Sequence, residues 1–237
     1  LQLFRTVTPM MSEHALSMRK LLINSLTKHW DGKDSILEMK RSGSRNWRQT
    51  EWPGWYFEFK ALQCLHEKFG ESVPFELDSR RNVDFSYGGK NWDLKHRTIS
   101  NTIKTWIPSN DVEFIEHCIQ KTGHWGLIVG VGKSVMGEKS RNCDFQVWHT
   151  NLSGGPSEYS KKKTKEGAKS RARKINSTLE DIYMIEFTSI DQLNFAVEEG
   201  WASPNFQKNM KNSNDVLRKP KYMFRLDKIA DLMSRLP

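Results

Sequence analysis

The chain has 237 residues and a mass of 27.7 kDa, which is enough to bury a hydrophobic core without disulfides. Hydrophobic residues make up 37% of it, and its longest apolar run, around 127–131, is too short to cross a bilayer, so composition excludes a membrane-spanning protein. Three widely spaced cysteines and a start without the pattern of a secretory signal predict an intracellular, cytoplasmic protein.

Positive charge is concentrated in one segment of the sequence. Between Lys161 and Lys174, eight basic residues accompany a single acid, Glu166, so this segment carries +7 of a net +9. The remainder of the chain is then only about +2 by subtraction. Such a concentration favours a polyanion as partner, although a solvated, mobile loop has the same composition.

Helical patterns dominate the first part of the chain. Apolar spacing over 10–30 predicts an amphipathic helix that Asp31 and Gly32 stop. The stretch 40–51 is polar and basic, and we expect it to be irregular. A second helix is predicted over 53–69, because proline suits its first turn and a glycine follows its end.

The rest of the chain alternates strands and helices. Asn110 and Glu113 have the spacing of a capping box, which predicts a helix from there to about Lys121. Strands are predicted at 75–77, 82–87, 91–96, 125–131, 144–149, 182–187 and 222–226. Further helices are predicted at 191–199 and 227–235. The fold class is therefore α/β or α+β, with a mixed central β-sheet flanked by helices.

The most informative stretch is a predicted hairpin with two glycines at its turn. Gly88 and Gly89 stand between two alternating runs, as in a two-residue turn whose central residues both need positive φ. Counting outward from that turn places Asp84 opposite Asp93. Alternation then directs Val83, Phe85, Trp92 and Leu94 into a core and directs Asn82, Asp84, Ser86, Asn91, Asp93 and Lys95 to the other face.

Two carboxylates on one face need compensation. Directly opposite residues have Cβ atoms about 5 Å apart, a spacing that is unfavourable for like charges. A hard cation such as Mg²⁺ would turn this repulsion into shared attraction, and Lys95 on the same face could orient or help deprotonate a water molecule. The alternative is an exposed polar face on which Asp84 and Asp93 pair with Lys95 and Arg97.

Glu58 is an independent indication of a charged site. It lies in the middle of the helical stripe formed by Trp55, Leu62, Leu65 and Phe69. Because an unpaired buried charge is costly, we predict that Glu58 meets a cation, either the metal or a basic side chain. The alternative is a glutamate at the edge of the stripe that reaches solvent.

These residues resemble the motif of the PD-(D/E)XK nuclease superfamily, particularly type II restriction endonucleases. Asp84 is followed nine residues later by Asp93-Leu94-Lys95, and a helix bearing Glu58 precedes both, within 52–131, about a third of the chain. Val83 stands where the motif has proline. The resemblance implies a restriction-endonuclease-like core in which Asp84, Asp93, the Leu94 carbonyl and Glu58 hold one or two Mg²⁺ ions. It further implies that Lys95 positions the attacking water.

The implied activity is hydrolysis of DNA phosphodiester bonds, leaving 5′-phosphate and 3′-hydroxyl ends. A sequence-specific type II restriction enzyme is the first expectation. A repair nickase or a junction-resolving nuclease would share the site, and a non-catalytic DNA-binding protein is the alternative from another class. The resemblance implies one nuclease domain over 1–237, with an N-terminal helix and basic arm over 1–50, a catalytic core over 51–135, and the remaining sheet, a basic loop and C-terminal helices over 136–237.

With a nuclease site in the chain, double-stranded DNA is the expected partner of the basic residues. Many such enzymes act as homodimers, but no self-complementary surface is evident in the sequence. Arg45 and Arg48 lie in a stretch suited to phosphates and base edges. The other predicted DNA contacts are Lys161, Lys162, Lys163, Lys165, Lys169, Arg171, Arg173 and Lys174.

Overall fold

The computed structural model of the chain describes residues 11–70, 83–100, 102–139, 143–167, 172–212 and 215–235. Its α-helices are α1 (Glu13–Ser25), α2 (Gly32–Arg41), α3 (Trp52–Phe69), α4 (Val112–Thr122), α5 (Asp144–Leu152), α6 (Glu158–Lys165), α7 (Ile190–Glu198) and α8 (Leu226–Ser234). A 3₁₀ turn spans Arg45–Arg48. None of the helices in these ranges combines the length and the hydropathy that a transmembrane helix requires.

The strands form two sheets. They are β1 (His29–Asp31), β2 (Phe85–Tyr87), β3 (Lys90–Thr98), β4 (Trp106–Asp111), β5 (Trp125–Met136), β6 (Lys174–Phe187), β7 (Ala202–Phe206) and β8 (Lys221–Arg225). Five of them make the central sheet in the order β1-β6-β5-β3-β2, in which β3 and β5 are parallel and the other neighbours antiparallel. The other three make an antiparallel sheet in the order β4-β8-β7.

Hydrophobic side chains cover both faces of the central sheet. On one face, Trp92 and Ile128 belong to a core that includes residues of α1, α2 and α3. On the other face, Leu127 and Val129 belong to a second core with residues of the smaller sheet and of α4, α7 and α8. Burial on both sides explains why β5 has an apolar run rather than an alternating pattern. The predicted mixed central sheet flanked by helices is confirmed as an α+β architecture.

The second predicted helix is confirmed. Helix α3 places Pro53 in its first turn, where a missing N–H costs nothing. Gly70 ends it with a φ of 69°. The expected strand at 75–77 lies outside the described residues.

The predicted helix over 10–30 is confirmed up to Ser25 and is wrong beyond it. Helix α1 ends at Ser25, and Trp30 lies in strand β1. Asp31 does not stop a helix but begins one, because its carboxylate accepts hydrogen bonds from the backbone N–H groups of Lys33 and Asp34. The Asp-Gly pair therefore marks the start of α2.

Two further predictions of local structure are wrong. The N-cap of α4 is Asp111, which makes no side-chain capping bond, so the predicted capping box does not form. Residues 144–149 form helix α5 rather than a strand, with Phe145 and His149 buried one turn apart. In this short segment the alternation of polar and apolar residues also fits the helical period, and burial of these two side chains decides between them.

The predicted basic loop is partly regular structure. Lys161, Lys162 and Lys165 lie on helix α6, and Lys174 is the first residue of strand β6. The two ends of the segment are therefore fixed by backbone hydrogen bonds, in contrast to the expected mobile loop. The side chain of Lys163 and the residues Lys169 and Arg171 lie outside the described part of the chain.

Candidate active site

The hairpin of β2 and β3 has the predicted turn and register. Gly88 and Gly89 have φ values of 58° and 75°, the left-handed region that this turn requires. Beyond the paired residues, the Asp84 N–H donates to the Trp92 carbonyl at 3.1 Å. The paired positions are Phe85 with Trp92, Ser86 with Asn91 and Tyr87 with Lys90.

The side chains of Asp84, Asp93 and Lys95 meet around the Leu94 peptide. Lys95 Nζ lies 2.7 Å from Asp93 Oδ2 and also donates to the Leu94 carbonyl oxygen at 3.0 Å. Asp84 Oδ2 accepts a hydrogen bond from the Leu94 N–H at 2.5 Å. The Asp93 side chain is only 3% exposed. Three of the four predicted catalytic side chains are therefore brought together, and Leu94 connects them.

Glu58 supplies the fourth group from helix α3. It is 8% exposed, so the alternative in which this glutamate reaches solvent is wrong. Burial raises its pKa well above the ordinary value, Lys95 lowers it, and the charges of Asp84 and Asp93 raise it further. Glu58 is thus within electrostatic reach of all three other residues, and Lys95 is the cation that compensates it.

Repulsion among the three acids changes the pKa values in this site. Burial and the charge of Asp93 raise the pKa of Asp84 to about 7, although Lys95 and the hydrogen bond from Leu94 oppose the shift. Burial alone would lower the pKa of Lys95, but Asp93, Asp84 and Glu58 outweigh it and raise that pKa. The lysine is therefore a stable ammonium, while burial and repulsion favour the protonated forms of Asp84 and Glu58.

The fit of these residues to a divalent cation rests on Asp84, Asp93 and the Leu94 carbonyl. In the described ranges, no group of three or more His, Cys, Asp and Glu residues is placed to hold a metal ion. Mg²⁺, however, takes only one or two carboxylates in many proteins and keeps several waters. Two of the predicted ligand oxygens, Asp93 Oδ2 and the Leu94 carbonyl, already converge on one cation, the Lys95 ammonium. The chemistry of the set fits a hard ion bound by few protein ligands.

Ser109 is a neighbour of the site that the sequence did not indicate. Its hydroxyl lies 3.5 Å from Asp93 Oδ2, at the limit of a hydrogen bond, and the residue is 2% exposed. Ser109 comes from β4, which is not among the predicted strands and contains Pro108. Proline is tolerated here because β4 is an edge strand of its sheet. Only the burial of Ile107 and Ser109 on alternate positions could have revealed this strand.

Some of the predicted DNA-binding residues lie together in the fold. The carbonyl of Trp47, between Arg45 and Arg48, contacts His149 Nε2 at 3.0 Å. Burial lowers the pKa of His149, and the nearby charge of Arg173 lowers it further, so Arg173 lies in the same region. Lys174 pairs with Glu51 at 2.6 Å.

The separation follows from the register of the central sheet. Leu127 of β5 is the neighbour of Asp93, whereas Met136 of β5 is the neighbour of Lys174. Nine residues of strand set an upper limit of about 30 Å on this separation. The two predicted sites are therefore brought onto one sheet.

The Lys174 carbonyl nevertheless accepts a hydrogen bond from Trp52 Nε1 of α3, the helix that carries Glu58. Burial lowers the pKa of His96, next to Lys95, and the charge of Lys174 lowers it further.

Comparison of the chain with protein-family models, with curated proteins and with solved structures finds no match.

Proposed function

We propose that the chain is a Mg²⁺-dependent endodeoxyribonuclease of the PD-(D/E)XK type that cleaves double-stranded DNA, with a sequence-specific type II restriction enzyme as the first candidate. The observation that supports it best is the contact of Lys95 with both Asp93 Oδ2 and the Leu94 carbonyl, beside Asp84. A partly exposed ammonium held among buried acids that repel one another is typical of a site tuned for chemistry. The same proposal assigns the central sheet and α3 to a restriction-endonuclease-like core.

Each residue of the site has a role that follows from its contacts. Asp84 and Asp93, with the Leu94 carbonyl, would hold Mg²⁺, and Glu58 would support it from α3. The ion supplies electrostatic stabilisation of the charge that develops on the phosphoryl oxygens and makes water easier to deprotonate. Lys95 presents a protonated amine that donates hydrogen bonds and would orient the attacking water toward phosphorus. The water oxygen would bond to phosphorus as the P–O3′ bond breaks. The water would give up a proton to solvent, and the leaving 3′-oxygen would take one from solvent, which leaves a 5′-phosphate and a 3′-hydroxyl.

The basic region at the far end of β5 would bind phosphates of the same duplex. Arg45, Arg48, Arg173 and Lys174 are the residues proposed for these contacts. Such contacts add affinity and salt dependence without reading sequence.

A plasmid assay tests the activity directly. Supercoiled DNA incubated with the full chain and Mg²⁺ should be linearised or cut into discrete fragments, and EDTA should stop the reaction. Cleavage restricted to branched DNA would indicate a junction-resolving enzyme, and nicking alone a repair nickase. Retention of DNA in a gel without any cleavage would refute the nuclease and leave a DNA-binding protein.

Substitution of Asp93 tests the site. Asp93→Ala should abolish cleavage, because a ligand and its charge are lost, while DNA binding in EDTA stays within about threefold of wild type, since phosphate contacts elsewhere persist. Asp231→Ala is the matched control, because Asp231 is exposed on α8. Retained cleavage by Asp93→Ala would show that the site assignment is wrong.

A further inference from the structure

A second basic element connects strands β7 and β8. Residues 207–221 contain five basic side chains and one acid, which gives a net charge of +4. We call the described part of this connection, 207–212 and 215–221, the β7–β8 arm. Together with the +7 segment 161–174, it exceeds the net charge of +9, so the rest of the chain is net negative. The net positive charge of the chain thus comes from two elements, the segment 161–174 and the β7–β8 arm.

The arm is a two-stranded ribbon built by backbone hydrogen bonds. Lys211 and Leu217 form an isolated antiparallel bridge. The Arg218 N–H donates to the Met210 carbonyl at 2.8 Å, and the Asn212 N–H donates to the Val216 carbonyl at 2.8 Å. The arm therefore has a defined shape on which side chains can be presented.

Apolar side chains are exposed on this basic ribbon. Met210, Val216 and Leu217 are 52%, 59% and 63% exposed. Large apolar side chains exposed next to one another on a charged ribbon are typical of a surface that is covered by a partner. In the described ranges, the non-glycine residues with positive φ are Gln207, Asn209 and Asp215, and all of them lie in this arm. Asn209 and Asp215 suit this region, which Asn and Asp adopt readily in turns, so these values mark the turns that shape the arm.

The base of the arm adjoins the candidate active site. Lys221 pairs with Asp111 of β4. Asp111 is two residues, or about 7 Å of strand, from Ser109, whose hydroxyl lies 3.5 Å from Asp93 Oδ2. Lys219 and Lys221 hold the arm there through Glu113 and Asp111, at 2.9 Å and 3.7 Å. The base of the arm is thus connected to the acids through Ser109 and Asp93.

We propose that the β7–β8 arm enters a groove of duplex DNA beside the bond to be cut, an inference that rests on the proposed nuclease function. Lys208, Lys211 and Arg218 contact phosphates on the rims of the groove, while Val216 and Leu217 touch base edges. A two-stranded ribbon fits the width of the major groove, where apolar side chains meet thymine methyl groups. The arm would hold the duplex so that the scissile phosphate reaches Asp84 and Asp93.

Binding in EDTA separates this proposal from cleavage. A fluorescent 30-base-pair duplex is titrated with the full chain at several salt concentrations. The variant Lys208→Gln/Lys211→Gln/Arg218→Gln should weaken binding at least tenfold and reduce the slope of log affinity against log salt by about 3, since each lost phosphate contact lowers it by about 0.9. The variant Val216→Ser/Leu217→Ser should weaken binding with an unchanged salt slope.

The control is a variant that loses three positive charges at exposed positions outside the arm. Lys20, Lys68 and Lys121 are exposed lysines on α1, α3 and α4, and their triple substitution by glutamine should leave the affinity within about twofold of wild type. Thermal unfolding of all variants checks that they fold. If the arm variants bind DNA like this control while wild type cleaves plasmid, the arm proposal is overturned and the nuclease stands. An arm variant that changes only the oligomeric state, with DNA affinity unchanged, also overturns it. If wild type binds DNA through the arm but never cleaves, the arm proposal stands and the nuclease fails.

Discussion

Replacing Asp84 by asparagine should stabilise the metal-free protein at alkaline pH. Burial and repulsion by Asp93 raise the pKa of Asp84 from the ordinary 3.8 to about 7. The charged carboxylate of Asp84 therefore destabilises the folded chain. The difference between the two pKa values corresponds to roughly 4 kcal/mol at most. Asparagine removes the charge but keeps an oxygen that can accept from the Leu94 N–H. The expected gain is therefore up to about 4 kcal/mol in the free energy of unfolding.

The sign of the pH dependence follows from the raised pKa. The folded state binds the proton more tightly than the unfolded state, so wild-type stability from this group is lowest above pH 7 and rises as pH falls from 7 to 3.8. Asp84→Asn lacks that rise. The two proteins should consequently differ most at pH 8 and converge near pH 4.

Urea unfolding in EDTA, followed by the fluorescence of the nine tryptophans, measures both effects. Asp231→Asn, a change at an exposed position, is the matched control and should leave stability within about 0.5 kcal/mol at either pH. Adding Mg²⁺ at pH 8 should stabilise wild type and much less so Asp84→Asn, because a ligand that binds only the folded state raises its stability. A variant that is less stable than wild type at pH 8 would refute the reasoning, since Asp84 would then be a net stabilising group.

Two further predictions concern the scaffold beneath the site. Burial would raise the pKa of Glu186, but hydrogen bonds led by that from His124 lower it to about 2, so its stabilisation is present above pH 4.5 and is lost as pH falls toward 2. The free energy of unfolding of Glu186→Gln should therefore fall by roughly 3 kcal/mol less than that of wild type when the pH is lowered through this window. If the urea midpoints of the two proteins fell equally between pH 5 and pH 3, the prediction would be contradicted. Gly126→Ala should cost about 1–3 kcal/mol, because the added Cβ would lie 2.4 Å from the buried ring of Trp92. Gly54→Ala, where nothing lies within 4 Å of the new Cβ, is the control, and an equal fall in melting temperature for both would exclude the steric explanation.

The hairpin of β2 and β3 is a part of the fold that the sequence alone predicts. The turn at Gly88 and Gly89 and the pairing of Phe85 with Trp92 were both predictable. Two neighbouring residues with positive φ restrict the turn to a few types, and the alternation of side chains then fixes the register. The helix over Trp52–Phe69 was predictable for the same local reasons, since its proline and its final glycine mark both ends.

Local signals failed where a short segment satisfied more than one structure. Asp31 suits both the end of one helix and the start of another, and its bonds to the N–H groups that follow decide for the start. The segment 144–149 fits a strand and a helix equally, and burial of Phe145 and His149 decides for the helix. In each case the deciding energy comes from contacts or bonds that a pattern of residue types does not contain.

The sequence by itself determined the acids, the lysine and the turn that places Asp84 near Asp93, because these depend on residues within one hairpin. Only the tertiary structure decided that the charge of Lys95 acts on Glu58 and that Ser109 lies beside Asp93. It also decided that Lys221 pairs with Asp111, on the strand that carries Ser109. These contacts join residues far apart in the chain. They form because both faces of the central sheet must be covered, and the elements that cover them are chosen by packing of the whole core rather than by any local preference.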